Sequence, residues 1–301
     1  MAILMTNQKA FEQMKKAMDL RGFAPSTQKA YLGAVRHLES FISIPLCDAD
    51  YEHVREFLLN AINVRKLSSQ YINTTYSGFK FLFECVFQRE WNMKHIPRLK
   101  KKHKLPLVLS QNEVQSIFAA VTNLKHKAIL MTIYSAGLRV SEAVNLRITD
   151  IDSENMRIFI RQGKGNKNRY AVLGHSTLKI LREYFKEYRP KVWLFQTANS
   201  DAFPKPVHTR TVQHVFREAK VRACIKANAT PHTLRHSFAT HLVERGISLL
   251  KVKELLGHDK LETTMLYVHL ANKDIFAVKS PIDFGMAFDS ESGRSAGAYN
   301  E

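Results

Sequence analysis

The chain has 301 residues, long enough for two domains that each bury a core, and its 45% hydrophobic content excludes a wholly disordered chain. Lys and Arg outnumber Asp and Glu by 45 to 27, and the net charge of +18 favours a polyanionic partner, nucleic acid before a membrane surface. Three cysteines without a CxxC pair, no run of 18 apolar residues and no signal-peptide core favour a cytoplasmic protein without a disulfide framework, a zinc framework or a membrane span.

The first ninety residues carry helical periodicity. Apolar residues recur at helical spacing over residues 7–21, and Pro25 opens a second run of the same kind. Two further helical patterns cover residues 48–63 and 68–89. The pattern predicts a compact four-helix domain over residues 1–91.

Residues 92–109 change in character and predict an interdomain linker. They combine two prolines with six basic residues. These are Lys94, Arg98, Lys100, Lys101, Lys102 and Lys104. A charged segment of this kind is either a solvated tether or a tether that also lies on DNA phosphates, and both interpretations stay open at this point.

A second domain begins after the linker, and we assign residues 110–279 to it. Ser110 followed by Glu113 is the sequence pattern of a capping box, which starts a helix. A further helical run over residues 123–136 ends at Gly137.

Between residues 150 and 173, Met156, Ile158 and Ile160 alternate with polar neighbours, which predicts a small antiparallel sheet with the sequence GKGNKN at its turn. Helical patterns then return in five places. They cover residues 176–188, 209–227, 232–245, 248–256 and 261–269. The last segment, 280–301, is rich in Ser, Gly and Ala without periodicity, and we interpret it as a flexible tail.

The first chemically informative position is Arg139, on a short turn between Gly137 and a helix that begins near Ser141 and Glu142. A guanidinium on such a turn can present its fork of N–H donors to a phosphate. The alternative is an ordinary surface arginine.

The second is the motif HTLRH at residues 232–236. His232 and Arg235 are three residues apart and share a helix face. We expect Leu234, Phe238 and Leu242 to form the buried stripe, so that His232 and Arg235 point elsewhere together. A zinc site at His232 and His236 fails the metalloprotease pattern, because threonine stands where the catalytic glutamate is needed.

Three further positions are informative only in combination with Arg139, His232 and Arg235. Lys164 lies in the predicted turn, His258 follows Gly257, and Tyr267 comes nine residues later. Alone, Lys164 would be a solvated lysine and Tyr267 a packed core residue. Together with two arginines and a histidine they supply what phosphodiester transfer through a tyrosine requires, namely cations for the phosphate oxygens, an acid and a nucleophile.

The set resembles the tyrosine recombinase, or phage integrase, family. The matching segments are AGLRVSEAVNLRITDID, GKGNKNR, TPHTLRHSFATHLVERG and LLGHDKLETTMLYVH. The resemblance implies a mainly α protein with a small antiparallel β-sheet, in which a four-helix, SAM-like core-binding domain precedes an α+β catalytic domain. It implies that Arg139, His232, Arg235 and His258 bind and activate the scissile phosphate. Lys164 would be the general acid, Tyr267 the nucleophile, His232 a further acceptor of the tyrosine proton, and Glu142 a supporting acid.

The same resemblance implies partners. Tyr267 would form a 3′-phosphotyrosine with duplex DNA at inverted-repeat sites, without a cofactor or metal. A homotetramer would exchange strands through a Holliday junction, and the free protein would be a monomer or dimer. The chain is similar to the simple recombinases of the Xer, Cre or integron type, and we expect it to belong to a mobile element. Apolar tail residues would dock on a neighbouring protomer or on their own domain. These are Ile275, Phe276, Val278, Ile282 and Phe284.

Three alternatives stay open. A type IB topoisomerase shares the phosphotyrosine chemistry, and a non-catalytic DNA-binding protein could keep the same fold. A protein of the membrane surface ranks last, and we expect no membrane partner and a bacterial cytoplasmic, nucleoid-associated location.

Overall fold

A computed structural model describes residues 6–92, 96–100, 105–161, 168–197 and 204–271. The chain divides into two compact units, Met1–Lys104 and Leu105–Glu301. The described part is mostly helical with a three-stranded antiparallel sheet, which confirms the predicted fold class. Within these residues, no helix combines the length and the apolar character needed to cross a bilayer.

The first unit is built from four helices around an aromatic core. They are α1 (Asn7–Leu20), α2 (Pro25–Glu39), α3 (Tyr51–Asn63) and α4 (Ser69–Cys85). The side chains of Thr6, Asp50 and Ser68 accept hydrogen bonds from the first turns of α1, α3 and α4, as helix N-caps do. Phe79, Phe83 and Trp91 are buried at the centre of this core.

Two described ends of the predicted linker lie against different units. Ile96 is buried in the first core, and the Arg98 guanidinium donates to the Ser77 hydroxyl at 3.0 Å while covering the Tyr76 ring. Leu109 is buried in the second core, where its N–H donates to the Ser237 hydroxyl at 2.9 Å. Residues at both ends of the predicted linker, 92–109, therefore pack into a core, and only a shorter segment between them can act as the linker.

The second unit contains eight described helices and the sheet. The helices are α5 (Gln111–Ala119), α6 (Leu124–Ser135), α7 (Val140–Val144), α8 (His175–Tyr188), α9 (Thr209–Arg222), α10 (Pro231–Glu244), α11 (Leu249–Leu256) and α12 (Glu262–Leu270). The predicted capping box starts α5, because the Ser110 hydroxyl accepts from the Glu113 N–H and the Glu113 carboxylate accepts from the Ser110 N–H.

The sheet has the order β1 (Ile151–Asp152), β2 (Arg157–Ile160) and β3 (Arg169–Val172), with antiparallel pairing throughout. Ile158 and Ile160 face the core as predicted. Met156 does not belong to the strand, because it adopts a left-handed backbone (φ 51°) in the preceding turn. Helix α9 likewise ends at Arg222 rather than 227, and Cys224 is left-handed shortly after it.

The core of the second unit has a main cluster and a smaller one. The main cluster joins the sheet to α5–α10. The smaller cluster lies between α10, α11 and α12 and includes Phe238, Leu256 and the ring of Tyr267. The second cluster positions the candidate active site.

Candidate active site

Helix α10 carries the two basic positions of the HTLRH motif, and Pro231 occupies its first turn. Arg235 is only 1% exposed, whereas His232 is exposed. The prediction that both point away from the packed side of the helix is therefore wrong for Arg235. Leu234 and Phe238 are buried as expected, and Leu242 is half-buried.

Arg235 tolerates burial because backbone carbonyls at the ends of two other helices accept its hydrogen bonds. Its Nη1 donates to the Gly137 carbonyl at 2.8 Å, just after α6. Its Nη2 donates to the Leu256 carbonyl at 2.6 Å, at the last residue of α11. Carbonyls at helix C-termini lack partners within the helix and carry partial negative charge, so they suit a buried cation.

Arg139 and Glu142 lie at the start of α7 and bind each other. Arg139 precedes the helix, and its backbone N–H donates to Glu142 Oε2 at 2.8 Å. Its Nη1 donates to Glu142 Oε1 at 2.7 Å. The sequence-predicted turn is therefore present, and the carboxylate fixes the orientation of the guanidinium.

Arg169 is a residue of this cluster that the sequence analysis did not name. It opens β3, and its Nη1 and Nη2 donate to the two carboxylate oxygens of Glu142 at 2.9 Å each. Its Nε donates to the Leu255 carbonyl at 3.1 Å. The only sequence signal was its place directly after the GKGNKN turn, in the segment that carries the family resemblance.

The neighbouring charges shift the pKa values of Glu142 and Arg235. Burial raises the pKa of Glu142, but hydrogen bonds and charge from Arg169, the Arg139 N–H and the charge of Arg235 outweigh it and lower the pKa to about 2. Burial, followed by the charge of Arg139, lowers the pKa of Arg235 to about 10. Three guanidinium groups therefore share one carboxylate, that of Glu142.

His258 follows Gly257, which ends α11 in a left-handed conformation (φ 62°). A Cβ at Gly257 would lie 2.8 Å from Arg169 Cδ, so a larger residue would collide with that side chain. His258 Nδ1 lies 3.0 Å from the Thr264 hydroxyl, and its ring is nearly parallel to the Tyr267 ring. Burial, followed by the charge of Arg235, lowers the pKa of His258 to about 4.

Tyr267 is 2% exposed on α12, and its hydroxyl lies 3.1 Å from Nδ1 of His236. Burial raises the pKa of Tyr267, although the charges of Arg235 and Arg139 oppose that rise. Among the described hydrogen bonds, none joins Tyr267 to His232. In the sequence, His236 stands out only as a zinc ligand that fails the metalloprotease pattern, and nothing there indicates its contact with Tyr267.

One cavity of about 340 Å³ is lined by five of the predicted residues. These are Arg139, His232, Arg235, His258 and Tyr267. His236 also lines it, and Glu142 binds two of its arginines. Such a cavity can hold an anionic ester beside a tyrosine hydroxyl. Lys164, which the family resemblance implies as the general acid, lies outside the described residues.

The predicted DNA-binding lysines fall mostly outside the described part of the chain. Lys94, Lys101, Lys102 and Lys104 are not described, whereas Arg98 and Lys100 are exposed on the first unit.

Two family models match the chain. The model of the phage integrase family matches residues 108–274, and that of the phage integrase N-terminal SAM-like domain matches residues 11–93. The chain belongs to the phage integrase family. Members of this family are tyrosine recombinases, enzymes that transfer DNA strands. The resemblance inferred from the sequence is therefore confirmed.

Curated members of the family cover nearly the whole chain. A putative integrase/recombinase of Sinorhizobium fredii is 37% identical over 90% of this chain and 88% of its own length. A tyrosine recombinase of Thermosipho africanus is 34% identical over 86% of this chain and 94% of its own length.

A solved structure shares the fold. The XerH site-specific recombinase, bound to a palindromic difH substrate in a post-cleavage complex, has a TM-score of 0.68 at 22% identity. The similarity covers 89% of this chain and 82% of that one. At this level of identity, the comparison shows the two-domain fold.

Proposed function

We propose that this family member is a site-specific DNA recombinase in which Tyr267 cleaves and rejoins duplex DNA. The observation that carries the proposal is the buried Tyr267 hydroxyl in the same cavity as Arg139, Arg235 and His258. A tyrosine held beside two arginines is suited to attack on an anion, because the cations offset the charge repulsion between nucleophile and phosphate.

The reaction begins when a phosphodiester enters the cavity. A guanidinium has five N–H donors, so the two carbonyl bonds of Arg235 leave donors for phosphate oxygens. Arg139 is partly exposed and carries its own fork. A phosphate anion would also relieve the repulsion that Arg139 and Arg235 exert on each other, a repulsion seen in the lowered pKa of Arg235.

Cleavage then forms a bond between Tyr267 Oη and phosphorus and breaks the bond to the 5′ oxygen of the next nucleotide. The phenol gives its proton to His232, and the departing oxygen takes one from Lys164, the base and the acid that the family resemblance implies. The ester energy is kept in a 3′-phosphotyrosine, and attack by a 5′ hydroxyl reverses the step. The hydroxyl of a second DNA molecule would complete strand exchange.

We extend the proposal to the architecture and partners. Residues 1–91 and 110–279 would form two halves of a DNA clamp joined by 92–109, with 280–301 as a tail. The basic residues of that linker would bind phosphates, so affinity should fall with salt. Four protomers would act on two inverted-repeat sites through a Holliday junction in the bacterial cytoplasm, starting from free monomers or dimers.

The test uses a library of duplex DNA with a randomised centre and a nick close to the cleavage position. Cleavage releases a short fragment that diffuses away, so religation is prevented and the covalent adduct accumulates. Wild-type protein should form adducts, and the trapped DNA should be enriched in an inverted repeat. Tyr267→Phe should bind the enriched DNA with unchanged Kd and form no adduct. The matched control, Tyr134→Phe, removes the hydroxyl of a half-buried tyrosine that also binds a histidine of α10, and it should form adducts at the wild-type rate.

An adduct in Tyr267→Phe would disprove the nucleophile. Adducts in wild-type protein without any sequence enrichment would instead favour a topoisomerase of type IB. Binding without adducts in wild-type protein would favour a non-catalytic DNA-binding protein.

A further inference from the structure

We propose that His236 is a positioning residue that holds the Tyr267 hydroxyl for attack by accepting its hydrogen bond at Nδ1. The proposal rests on Tyr267 being the nucleophile. The hydrogen-bonded distance is 3.1 Å, and the two rings lie 5.8 Å apart between centroids. No other described hydrogen bond involves the Tyr267 hydroxyl.

A tyrosine hydroxyl can rotate about its C–O bond, so a buried phenol without a partner would lose both a hydrogen bond and a fixed direction for its lone pairs. Donation to His236 fixes the proton on one side of the oxygen. The lone pairs then lie away from His236 and are available for the phosphorus atom. This is preorganisation of the attacking atom, one of the larger sources of rate in enzymes.

The protonation of His236 agrees with an acceptor. Burial, followed by the charges of His232 and Arg235, lowers its pKa to about 4. At neutral pH the ring is therefore uncharged, and with hydrogen on Nε2 its Nδ1 can accept. A ring of so low a basicity is a poor proton acceptor for a phenol, which favours an orienting role over removal of the proton.

The position of His236 in the fold explains how it reaches Tyr267. It lies on α10 next to the buried Arg235, whose two hydrogen bonds to carbonyls tie this turn of the helix to the ends of α6 and α11. The His232 ring packs edge-on against it with centroids 4.6 Å apart. Helix α12 packs on α10 and brings Tyr267 over this turn.

The experiment uses the full chain and a nicked duplex that wild-type protein cleaves in the library assay. His236→Asn places an amide oxygen as many bonds from the backbone as histidine Nδ1, so it can still accept from Tyr267. His236→Gln places its amide one bond further, and His236→Phe has no acceptor. Single-turnover adduct formation at saturating DNA is the measurement, with Kd for DNA measured separately.

We expect His236→Asn to stay within about threefold of wild type, and His236→Gln and His236→Phe to lose about 10²-fold in rate with unchanged Kd. Equal rates in all three variants, or a loss in His236→Asn as large as in His236→Phe, would overturn the proposal. Wild-type protein without adducts would instead overturn the proposed function, so the two failures are distinguishable.

Two controls separate positioning from general damage. His241→Phe breaks another hydrogen bond between histidine and tyrosine on α10, with Tyr134, and should leave the rate unchanged. A matching rate loss in that variant would assign the effect to loosening of α10 and contradict the proposal.

The second control uses DNA in which sulfur replaces the departing 5′ oxygen. A thiolate is a good leaving group and departs without protonation, so this DNA needs no general acid. The loss in His236→Phe should persist on this DNA, whereas the loss in Lys164→Ala should be relieved. Relief of the His236→Phe loss would assign His236 to the leaving group and overturn its role at the nucleophile.

Discussion

Helix α10 carries two hydrogen bonds between a histidine and a tyrosine, and they differ in their surroundings. In the site pair, His236 faces Tyr267 within a cluster of arginines; in the distal pair, His241 faces Tyr134 at 2.9 Å against α5 and α6. Burial is the first cause of a lowered histidine pKa and a raised tyrosine pKa in both pairs.

The difference lies in the charges around each tyrosine. Arg235 and Arg139 both act on Tyr267, and both are held by Glu142. Tyr134 instead feels Arg245 and the opposing charge of Glu244, two residues at the exposed end of the helix. In our proposal the same local hydrogen bond serves packing in one place and chemistry in the other, and the arginine cations beside Tyr267 make the distinction.

Removing the carboxylate that balances those cations should have the largest effect on stability. The pKa of Glu142 is about 2 in the folded protein, against an ordinary value of 4.5. The ionised carboxylate therefore stabilises the fold fully above pH 4.5, and this stabilisation is lost as the pH falls through about 2. Glu142→Gln should lower the free energy of unfolding by about 3 kcal/mol at neutral pH.

Urea denaturation of wild type and Glu142→Gln at neutral pH and at steps down to about pH 3 checks this value. The gap between the two proteins should narrow as the solution becomes more acidic. A gap that stays constant across this range would show that Glu142 does not act through its charge.

A smaller effect should follow from disturbing Arg169 beside the site pair. Gly257→Ala forces a left-handed alanine, at about 1–2 kcal/mol, and places its Cβ against Arg169. Gly246→Ala, just after α10, carries the same backbone penalty (φ 81°) in open space. Both should lower Tm, but only Gly257→Ala should slow adduct formation.

Equal rates of adduct formation in the two alanine variants would contradict a link between Arg169 and the site. That outcome would leave the backbone penalty as the whole effect of Gly257→Ala.

The smallest effect should come from the distal pair. Tyr134→Phe removes one hydrogen bond to His241 and should destabilise the protein by about 1 kcal/mol, without change in adduct formation. Chemical denaturation alongside the adduct assay measures both quantities. A marked loss of cleavage in this variant would remove the functional contrast between the two pairs.

Most of the fold was accessible from sequence because the local signals agree. Helical spacing, the capping box at Ser110 and the proline that opens α2 each fixed an element. The end of α9 was not accessible, because the segment after Arg222 contains neither glycine nor proline and its apolar pattern continues. The left-handed backbone of Cys224 has no sequence signal of its own, because cysteine is not a residue type that favours this conformation.

The predicted site residues were found through their order along the chain, and their roles stay predictions. Arg169 was missed because its partners, Glu142 and Leu255, are distant in sequence and meet it only in the fold. The burial of Arg235 was missed for the same reason. Helical periodicity assigns an arginine to a solvated face, because the pattern holds no information on which other helix ends pack against the side chain.

The carbonyls that bind Arg235 have a consequence for how the site can vary between proteins. Every residue type has a carbonyl oxygen, so the guanidinium is placed by the path of the backbone at Gly137 and Leu256 and not by the side chains there. Evolution can therefore exchange many neighbouring side chains while this buried cation stays in place. Insertions or deletions at these two helix ends would displace it, and protein engineers who reprogram the DNA specificity of this chain should leave the lengths of both segments unchanged.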